Sequence, residues 1–398
     1  MKAIILAAGE GKRLQPFTET IPKPMLPIAN KPMLSYIIDA IAHIGISEIV
    51  IVVGYKKERI MDYFGEGKNK NISISYVTQE KQIGTGHALL QAKQFFSKEF
   101  LVIPADNIID EALLSSIAET EAPALLCIRH QHPSKYGVVE TKQNRVTKVY
   151  EKPTTDKGNL ISTGIYKCTD AISNQLEESV KQGNTELTTL INRMAMLKEP
   201  VTPITGKGLW NDVVYPWDII QINERIMQSN TGEKAGTIEQ GVVLKGPVSI
   251  GKNSILRSGS YIIGPTVIGD GCEIGPFSMI SPSSVIGNNV TLGPYTEINN
   301  SIIMNDVSIQ SRCSLNHTVI GEGCNIGSHT IFEAGQAYVQ IHDKGSFHQV
   351  PSTGSYIGNN TTIGSSVLIK PGTLIGGKTT INGQKTVTGR INAHSMVA

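Results

Sequence analysis

The sequence predicts an α/β domain on a mixed, mostly parallel sheet, followed by a solenoid of parallel β-strands. Three observations predict it. Short, continuous apolar runs alternate with helix-spaced patterns through the first hundred residues, as in a parallel sheet covered on both faces. Several of those runs end in glycines or an acidic residue, where such sheets bind ligands. Beyond residue 240, aliphatic residues recur every six positions, a period that fits neither a helix nor an alternating strand. It fits a triangular coil with one hexapeptide per side.

The first element is a buried strand over Ile4, Ile5 and Leu6. Ala7, Ala8, Gly9 and Gly11 follow with little or no side chain, so a ligand can approach the backbone closely. Arg13 and Lys23 bring positive charge to either side. Backbone N–H groups and two cations suit a polyphosphate. Two commoner glycine motifs do not fit. A dinucleotide fingerprint needs a third glycine, where Arg13 falls short, and an immediate helix, which Pro16, Pro22, Pro24 and Pro27 interrupt. A P-loop needs four residues between its first glycine and Gly-Lys, and Gly9-Glu10-Gly11-Lys12 has one between the glycines.

Pro32 is placed to open a helix, with Met33, Leu34, Ile37, Ile38 and Ile41 on its apolar face. Ile49–Val53 reads as a buried strand, Ile60 and Tyr63 as a short helix, and Ile72–Val77 as another strand. Gln79–Gly86 is a second glycine-bearing loop leading into a helix near His87–Phe95. Phe100–Ile103 is a strand closing on Pro104-Ala105-Asp106-Asn107. Shorter strand-like runs follow at Leu125–Ile128, Gly137–Glu140, Val146–Tyr150 and Ile161–Lys167. Helices are expected near Ala171–Lys181, Thr185–Leu197 and Pro216–Met227. The expected organisation is a first domain over 1–228, a polar linker over 229–239 and a solenoid over 240–398, with a projecting loop over 334–355.

In the solenoid the repeat runs through Ile250, Leu256, Ile262, Ile268, Ile274, Ile280, Ile286, Leu292 and Ile298. It slips near Met304 and resumes at Ile320 and Ile326, then from Ile357 to Ile381. Gly, Asn and Asp between repeats suit the tight, left-handed turns.

At 398 residues, with 40% hydrophobic residues, the chain can form two cored domains. A net charge of +2 and no long basic run give no case for nucleic acid or membrane binding. Five cysteines without a C-x-x-C pair argue against zinc sites and a disulfide framework. A cytoplasmic location fits, since no stretch reads as a signal peptide or membrane span.

Leu6-Ala7-Ala8-Gly9-x-Gly11-x-Arg13-Leu14-x-Pro16-x-Thr18 with Pro22-Lys23-Pro24 resembles the signature of sugar-1-phosphate nucleotidylyltransferases. Gln79, Gly84-Thr85-Gly86-His87-Ala88, Asp106, Tyr136-Gly137, Glu151-Lys152-Pro153, Thr163-Gly164 and Asp212 continue the match in order. The C-terminal part resembles the left-handed parallel β-helix of hexapeptide-repeat proteins. Together they resemble the bifunctional enzymes that join a uridylyltransferase to a glucosamine-1-phosphate acetyltransferase, with thymidylyltransferases as near relatives. The resemblance implies a Rossmann-like nucleotidyltransferase domain. Leu6, Ala8, Gly9 and Gly11 would bind the nucleotide, Arg13 and Lys23 would be catalytic, and Gln79, Gly84 and Thr85 would lie at the base. Gly137, Glu151, Lys152 and Thr163 would hold the sugar phosphate, and Asp106 and Asp212 would carry Mg²⁺.

The glycine loop is closer to the uridylyltransferase pattern, so UTP is the expected donor, with dTTP as alternative. Glucose-1-phosphate and N-acetylglucosamine-1-phosphate both remain open acceptors, because Ser162 stands where the N-acetylglucosamine enzymes have Asn. In the solenoid Ser311 occupies the position of the acetyltransferase base, and serine cannot serve as imidazole does. His317, His329, His342 and His348 are alternatives. A scaffold forming a homo-oligomer, a trimer or a multiple of one, is favoured over a second active site. A non-catalytic, sugar-nucleotide-sensing subunit is the remaining alternative, and it would be expected to lose Arg13, Lys23 or the aspartate pair.

Overall fold

A computed structural model of the chain describes residues 1–67, 71–197, 199–341 and 347–398. By mutual packing these form two bodies. The first holds Met1–Glu10, Pro22–Met25 and Met33–Asp212; the second holds Gly11–Ile21, Leu26–Pro32 and Val213–Ala398.

The first body is the expected α/β layer structure. Strand β1 (Lys2–Ala7), helix α1 (Met33–His43), β2 (Glu48–Val53), α2 (Lys57–Phe64), β3 (Ser73–Thr78), α3 (Thr85–Gln91) and β4 (Phe100–Pro104) alternate. β1 lies between β2 and β4, parallel to both, and β3 runs parallel to β2. The unbroken apolar run has a physical reason. Ala3, Ile5 and Ala7 enter one core, while Ile4 and Ala8 enter the other. Burying one such isoleucine contributes about 1.5–3 kcal/mol, so β1 is a rigid base for the loop that leaves it.

The chain then adds β5 (Asn107–Ile109), α4 (Glu111–Ala118), β6 (Ala124–Arg129), β7 (Gly137–Lys142), β8 (Arg145–Glu151), β9 (Leu160–Cys168), α5 (Ile172–Lys181), α6 (Leu187–Met196), β10 (Thr202–Thr205) and β11 (Trp210–Asp212). The sheet order is β8-β7-β9-β4-β1-β2-β3, with β6 also on β9 and β10 on β6. β9 is irregular between Ser162 and Tyr166. Its first half pairs with β7 and its last residues with β4. The sheet therefore splays at Thr163-Gly164-Ile165.

Three local readings change. Pro32 ends a two-residue hairpin arm just before α1 rather than opening the helix. The helix expected over His87–Phe95 is α3 followed by a separate 3₁₀ turn at Lys93–Phe95. Helix α4 lacks a sequence reading; Asp110 caps it, accepting the Leu113 N–H at 2.9 Å.

In the second body, helix α7 (Pro216–Met227) precedes three ladders of short parallel strands. The first coils span eighteen residues, as in Thr266 opposite Ser284. Near Met304 one corner is a residue shorter, so Val285 faces Ile302, which is the slip in the repeat. The aliphatic residues of the repeat form one continuous core. Corner side chains link successive coils: Asp270 accepts the Lys252 N–H at 2.7 Å, and Asn288 accepts that of Asp270 at 2.8 Å.

The expected linker already contains solenoid, because Thr237–Ile238 pair with Ile255–Leu256. The expected boundary after residue 228 also differs from the packing. α7 belongs with the solenoid, its buried Asn223 donating to the Ser283 carbonyl at 2.9 Å and accepting the Ala29 N–H at 3.0 Å. The expected loop over 334–355 is a β-hairpin, with Gly335–Gln340 antiparallel to Phe347–Thr353.

Candidate functional site

In the first body the carboxyl ends of β1 and β4 lie side by side. Leu6 is opposite Pro104, and the Ala105 N–H donates to the Leu6 carbonyl at 3.0 Å. β1 thus delivers Ala8 and Gly9 where β4 delivers Asp106. The chain turns there into β5, whose Asn107 pairs with Asp212 of β11. That short antiparallel pair brings the two aspartates together.

Lys23 Nζ lies 2.9 Å from Asp106 Oδ2. Asp212 Oδ1 accepts the Tyr136 hydroxyl at 2.8 Å. Burial pushes the Asp212 carboxyl above its ordinary range; the Tyr136 bond opposes this, the Asp106 charge adds to it, and Lys23 opposes it. Two neighbouring carboxylates, one poorly solvated, favour a cation between them. The donors are hard oxygens. Among the described residues no three His, Cys, Asp or Glu side chains form a metal cluster, so there is no all-protein cage. A pair that leaves coordination positions for phosphate oxygens and water suits Mg²⁺.

The glycines divide into two kinds. Gly9 is exposed, and a Cβ there would meet nothing within 4 Å. The chain itself therefore gives no steric reason for glycine there, and the backbone is open to approach. Gly84 has φ 143°, and a Cβ would sit 2.5 Å from the Thr185 carbonyl oxygen. Its glycine is required by the chain alone. Gly86 and His87 N–H groups both donate to that carbonyl, at 2.7 and 3.1 Å. Thr85 Oγ1 donates to Glu186 at 2.8 Å and accepts the Leu187 N–H at 3.0 Å. Gln79 is buried; its Nε2 donates to the Gly84 carbonyl at 3.1 Å and lies 2.9 Å from His87 Nδ1. The Gln79, Gly84 and Thr85 side chains and turns thus brace the second loop.

On the other side of the sheet's splay, Gly137 pairs with Glu151 across β7 and β8, and a Cβ on Gly137 would be 3.4 Å from Glu151 Oε2. Glu151 and Lys152 are exposed, with Lys152 Nζ 3.9 Å from Glu151. Thr163 is buried, its hydroxyl donating to the Leu126 carbonyl at 2.8 Å. Gly164, at φ 76°, would place a Cβ 2.9 Å from Pro104. Ser162 Oγ accepts the Gly164 N–H at 3.1 Å, holding the irregular turn.

Gly11 and Arg13 belong to the second body. Gly11 is left-handed (φ 66°) before the 3₁₀ turn Lys12–Leu14. Buried Thr18 donates to the Gly11 carbonyl at 2.9 Å, which gives that motif threonine a structural task. Arg13 is half-buried.

Sequence reasoning missed Tyr136 as the partner of Asp212, although its motif was in view. It also missed Asp110, which accepts the Leu209 N–H at 2.6 Å and so fixes the start of β11. Only the helix-capping pattern Asp110-Glu111 offered a signal. In the solenoid, half-buried Ser311 stands at the position compared with the acetyltransferase base; its carbonyl accepts the His329 N–H at 3.1 Å. Burial lowers the His317 pKa, and the nearby Glu224 charge opposes this. His348 packs on Tyr215 and Trp217, with centroids 4.7 and 5.8 Å away. His342 lies outside the described residues.

Residues 2–229 match the family model described as nucleotidyl transferase, and 262–396 match the GMPPB C-terminal domain. The chain is 42% identical over 370 residues to "Bifunctional protein GlmU" of Methanococcus maripaludis strain C7, spanning 90% of this chain and 88% of that one. It is 36% identical over 371 residues to "Bifunctional sugar-1-phosphate nucleotidylyltransferase/acetyltransferase" of Sulfurisphaera tokodaii, spanning 90% of each. A solved putative glucose-1-phosphate thymidylyltransferase from Bacillus anthracis, in complex with a sucrose, matches with TM-score 0.54 and 26% identity, over 58% of this chain and 98% of that one.

Proposed function

The chain belongs to the nucleotidyl transferase family, and we propose that it transfers a uridylyl group from UTP to a sugar-1-phosphate. dTTP is the alternative donor. The phosphate oxygen of the sugar attacks the α-phosphorus, a new P–O bond forms, and the bond to pyrophosphate breaks. The sugar phosphate has a second pKa of about 6, so the nucleophile is already an anion and needs no general base. The barrier is the approach of two anions in line, which positioning and charge neutralisation lower.

The carrying observation is the Lys23–Asp106 ion pair beside Asp212 and its Tyr136 bond. Asp106 and Asp212 would hold Mg²⁺, which when bound would neutralise phosphate charge. Lys23 would then be released from Asp106 to meet the α-phosphate. The open backbone at Leu6, Ala8, Gly9 and Gly11 would cradle the triphosphate, and Arg13 would stabilise the leaving pyrophosphate. The loop braced by Gln79, Gly84 and Thr85 would face the base. Gly137 and Glu151 would bind the sugar and Lys152 its phosphate, with Thr163 fixing the strand between them. Glucose-1-phosphate and N-acetylglucosamine-1-phosphate are the acceptors to compare. Ser162 is too short to repeat an asparagine amide contact, and this favours glucose-1-phosphate.

The name of the Sulfurisphaera tokodaii relative includes an acetyltransferase, and the second reading is acetyl transfer to glucosamine-1-phosphate by the solenoid. Ser311 weighs against it. A homo-oligomer through the solenoid, a trimer or a multiple of one, is supported by exposed Val243, Met279 and Ile331 on one ladder. No helix among the described residues is long and apolar enough to cross a membrane; a cytoplasmic location is part of the proposal. The retained Lys23, Asp106 and Asp212 favour a catalyst over a sensing subunit.

Pyrophosphate release tests the reading, measured over a grid of UTP, dTTP, ATP, CTP and GTP against both sugar phosphates with Mg²⁺. UTP should give the fastest release and Asp106→Ala should abolish it. No release from any pair would overturn the proposal. Free thiol released from acetyl-CoA with glucosamine-1-phosphate would establish the second activity.

A further inference from the structure

The segment carrying Gly11 and Arg13 belongs to the body that holds the solenoid. Its apolar anchors are buried: Leu14, Phe17 and Ile21 are each at most 2% exposed. The Phe17 ring meets Tyr356 edge-on, with centroids 6.5 Å apart and planes at 83°. Tyr356 is held in turn by Thr353, its hydroxyl 2.6 Å from Thr353 Oγ1. Two polar contacts fix the segment's azimuth. Glu19 Oε2 accepts the Gly377 N–H at 2.9 Å, and Arg390 Nη2 donates to Gln15 Oε1 at 3.0 Å. The following segment, Leu26–Pro32, is tied to the same body, with Asn30 Nδ2 donating to the Ile286 carbonyl at 2.6 Å. In sequence, Lys23 lies between these two anchored segments.

A loop held by the Phe17–Tyr356 ring contact and by the Gln15 and Glu19 bonds to the solenoid is constrained by the solenoid. Inside the segment, the Thr18 bond to the Gly11 carbonyl transmits that constraint to the left-handed turn before Arg13. We propose that Arg390, Gln15 and Glu19 are positioning residues for nucleotidyl transfer. They hold the basic half of the phosphate loop, and Arg13 with it, in a fixed conformation. This rests on the reading of Arg13 as a triphosphate ligand. It gives the solenoid a role in the first reaction that needs no second active site.

The experiment uses the full chain. Arg390→Ala and Glu19→Ala each remove one charge-assisted contact and should raise the KM for UTP about 10-fold. The KM for the sugar phosphate should not change. Glu19→Gln keeps an acceptor for the Gly377 N–H and should recover most of the loss, and Gln15→Ala should resemble Arg390→Ala. Amide exchange over residues 11–21 should accelerate in the two Ala variants while the solenoid core stays protected. Arg257→Ala, which loses ion pairs to Glu239 and Glu273 on another coil, should leave both KM values unchanged. Wild-type KM for UTP and unaltered exchange at 11–21 in both Arg390→Ala and Glu19→Ala would overturn the proposal. Failure of the underlying reading looks different: wild-type protein would release no pyrophosphate from any pair. In that event weakened UTP–Mg²⁺ binding by the same variants would still support positioning, and unchanged binding would overturn it.

Discussion

Tyr136→Phe removes the side-chain hydrogen bond that the Tyr136 hydroxyl gives to Asp212. The ring stays, so its edge contacts with Trp210 (5.6 Å) and His130 (4.8 Å) are kept. What is lost is the 2.8 Å bond from the hydroxyl to Asp212 Oδ1. A bond to an ionised group is worth about 1.5–3 kcal/mol, and one between neutral partners about 0.5–1.5 kcal/mol. Burial already raises the Asp212 pKa and the Tyr136 bond pulls it down, so its removal moves the pKa further up. A carboxylate with a raised folded pKa adds nothing below its unfolded value, about 3.9. Its cost to stability builds up through the window between that value and the raised one and is present in full above it. The variant should therefore lose about 1.5–3 kcal/mol near neutral pH and about 0.5–1.5 kcal/mol in acid. If Asp212 holds the metal as proposed it must be ionised for turnover, so the acid limb of the rate profile should move to higher pH. Groups that orient a metal ligand typically change metal affinity by 10–100-fold, and the apparent Mg²⁺ requirement should rise within that range. Mg²⁺ titrations and a pH profile of pyrophosphate release read both effects, with Asp212→Asn as the background in which Tyr136→Phe should add nothing. An unshifted acid limb with an unchanged Mg²⁺ midpoint would refute the reasoning.

Arg13→Ala should lower kcat/KM about 10²–10³-fold, as for other groups that stabilise developing charge, and Arg13→Lys should recover only part, measured by pyrophosphate release. Gly9→Ala should leave the melting temperature unchanged, because its Cβ meets nothing within 4 Å, yet weaken UTP binding in a titration. Gly84→Ala should do the reverse in a thermal melt, losing at least about 1–3 kcal/mol, since its Cβ would stand 2.5 Å from the Thr185 carbonyl. Phe332→Ala, in the solenoid core and fully buried, should cost about 3–5 kcal/mol in denaturant unfolding and leave the KM values for both substrates unchanged.

Much of the fold was legible because its signals are periodic. β1, β2 and β4 are buried on both faces, so each reads as an unbroken apolar run. Each coil repeats one interior aliphatic residue per side, so even the slip near Met304 was visible as a one-residue change in spacing. The elements that escaped are short and stabilised by partners distant in sequence. Asn107–Ile109 and Trp210–Asp212 are three-residue strands that exist because they pair with each other. α7 has a clear helical pattern, but nothing in that pattern says that buried Asn223 will reach Ser283.

The candidate site follows the same division. Asp106 was legible as an acidic residue ending a buried strand, and Lys23 as a cation between prolines. That Asp212 joins them depends on β11, and β11 depends on Asp110 receiving the Leu209 N–H, a contact without local signal. The second glycine loop carries a packing constraint of its own. Gly84 looks like a ligand-facing glycine, yet Thr185 alone forbids any side chain there. Gly9, with open space around its missing Cβ, is the position where the chain offers no competing explanation. A glycine indicates a ligand only after the chain's own atoms have been asked to account for it. By that criterion the first loop is sterically open at Gly9, and the second is first of all a packing solution, onto which recognition of a base would be built through backbone atoms. Base preference should then follow the loop's backbone course and respond to changes at Thr185 and Glu186, the residues that set that course, more than to changes in the glycines themselves.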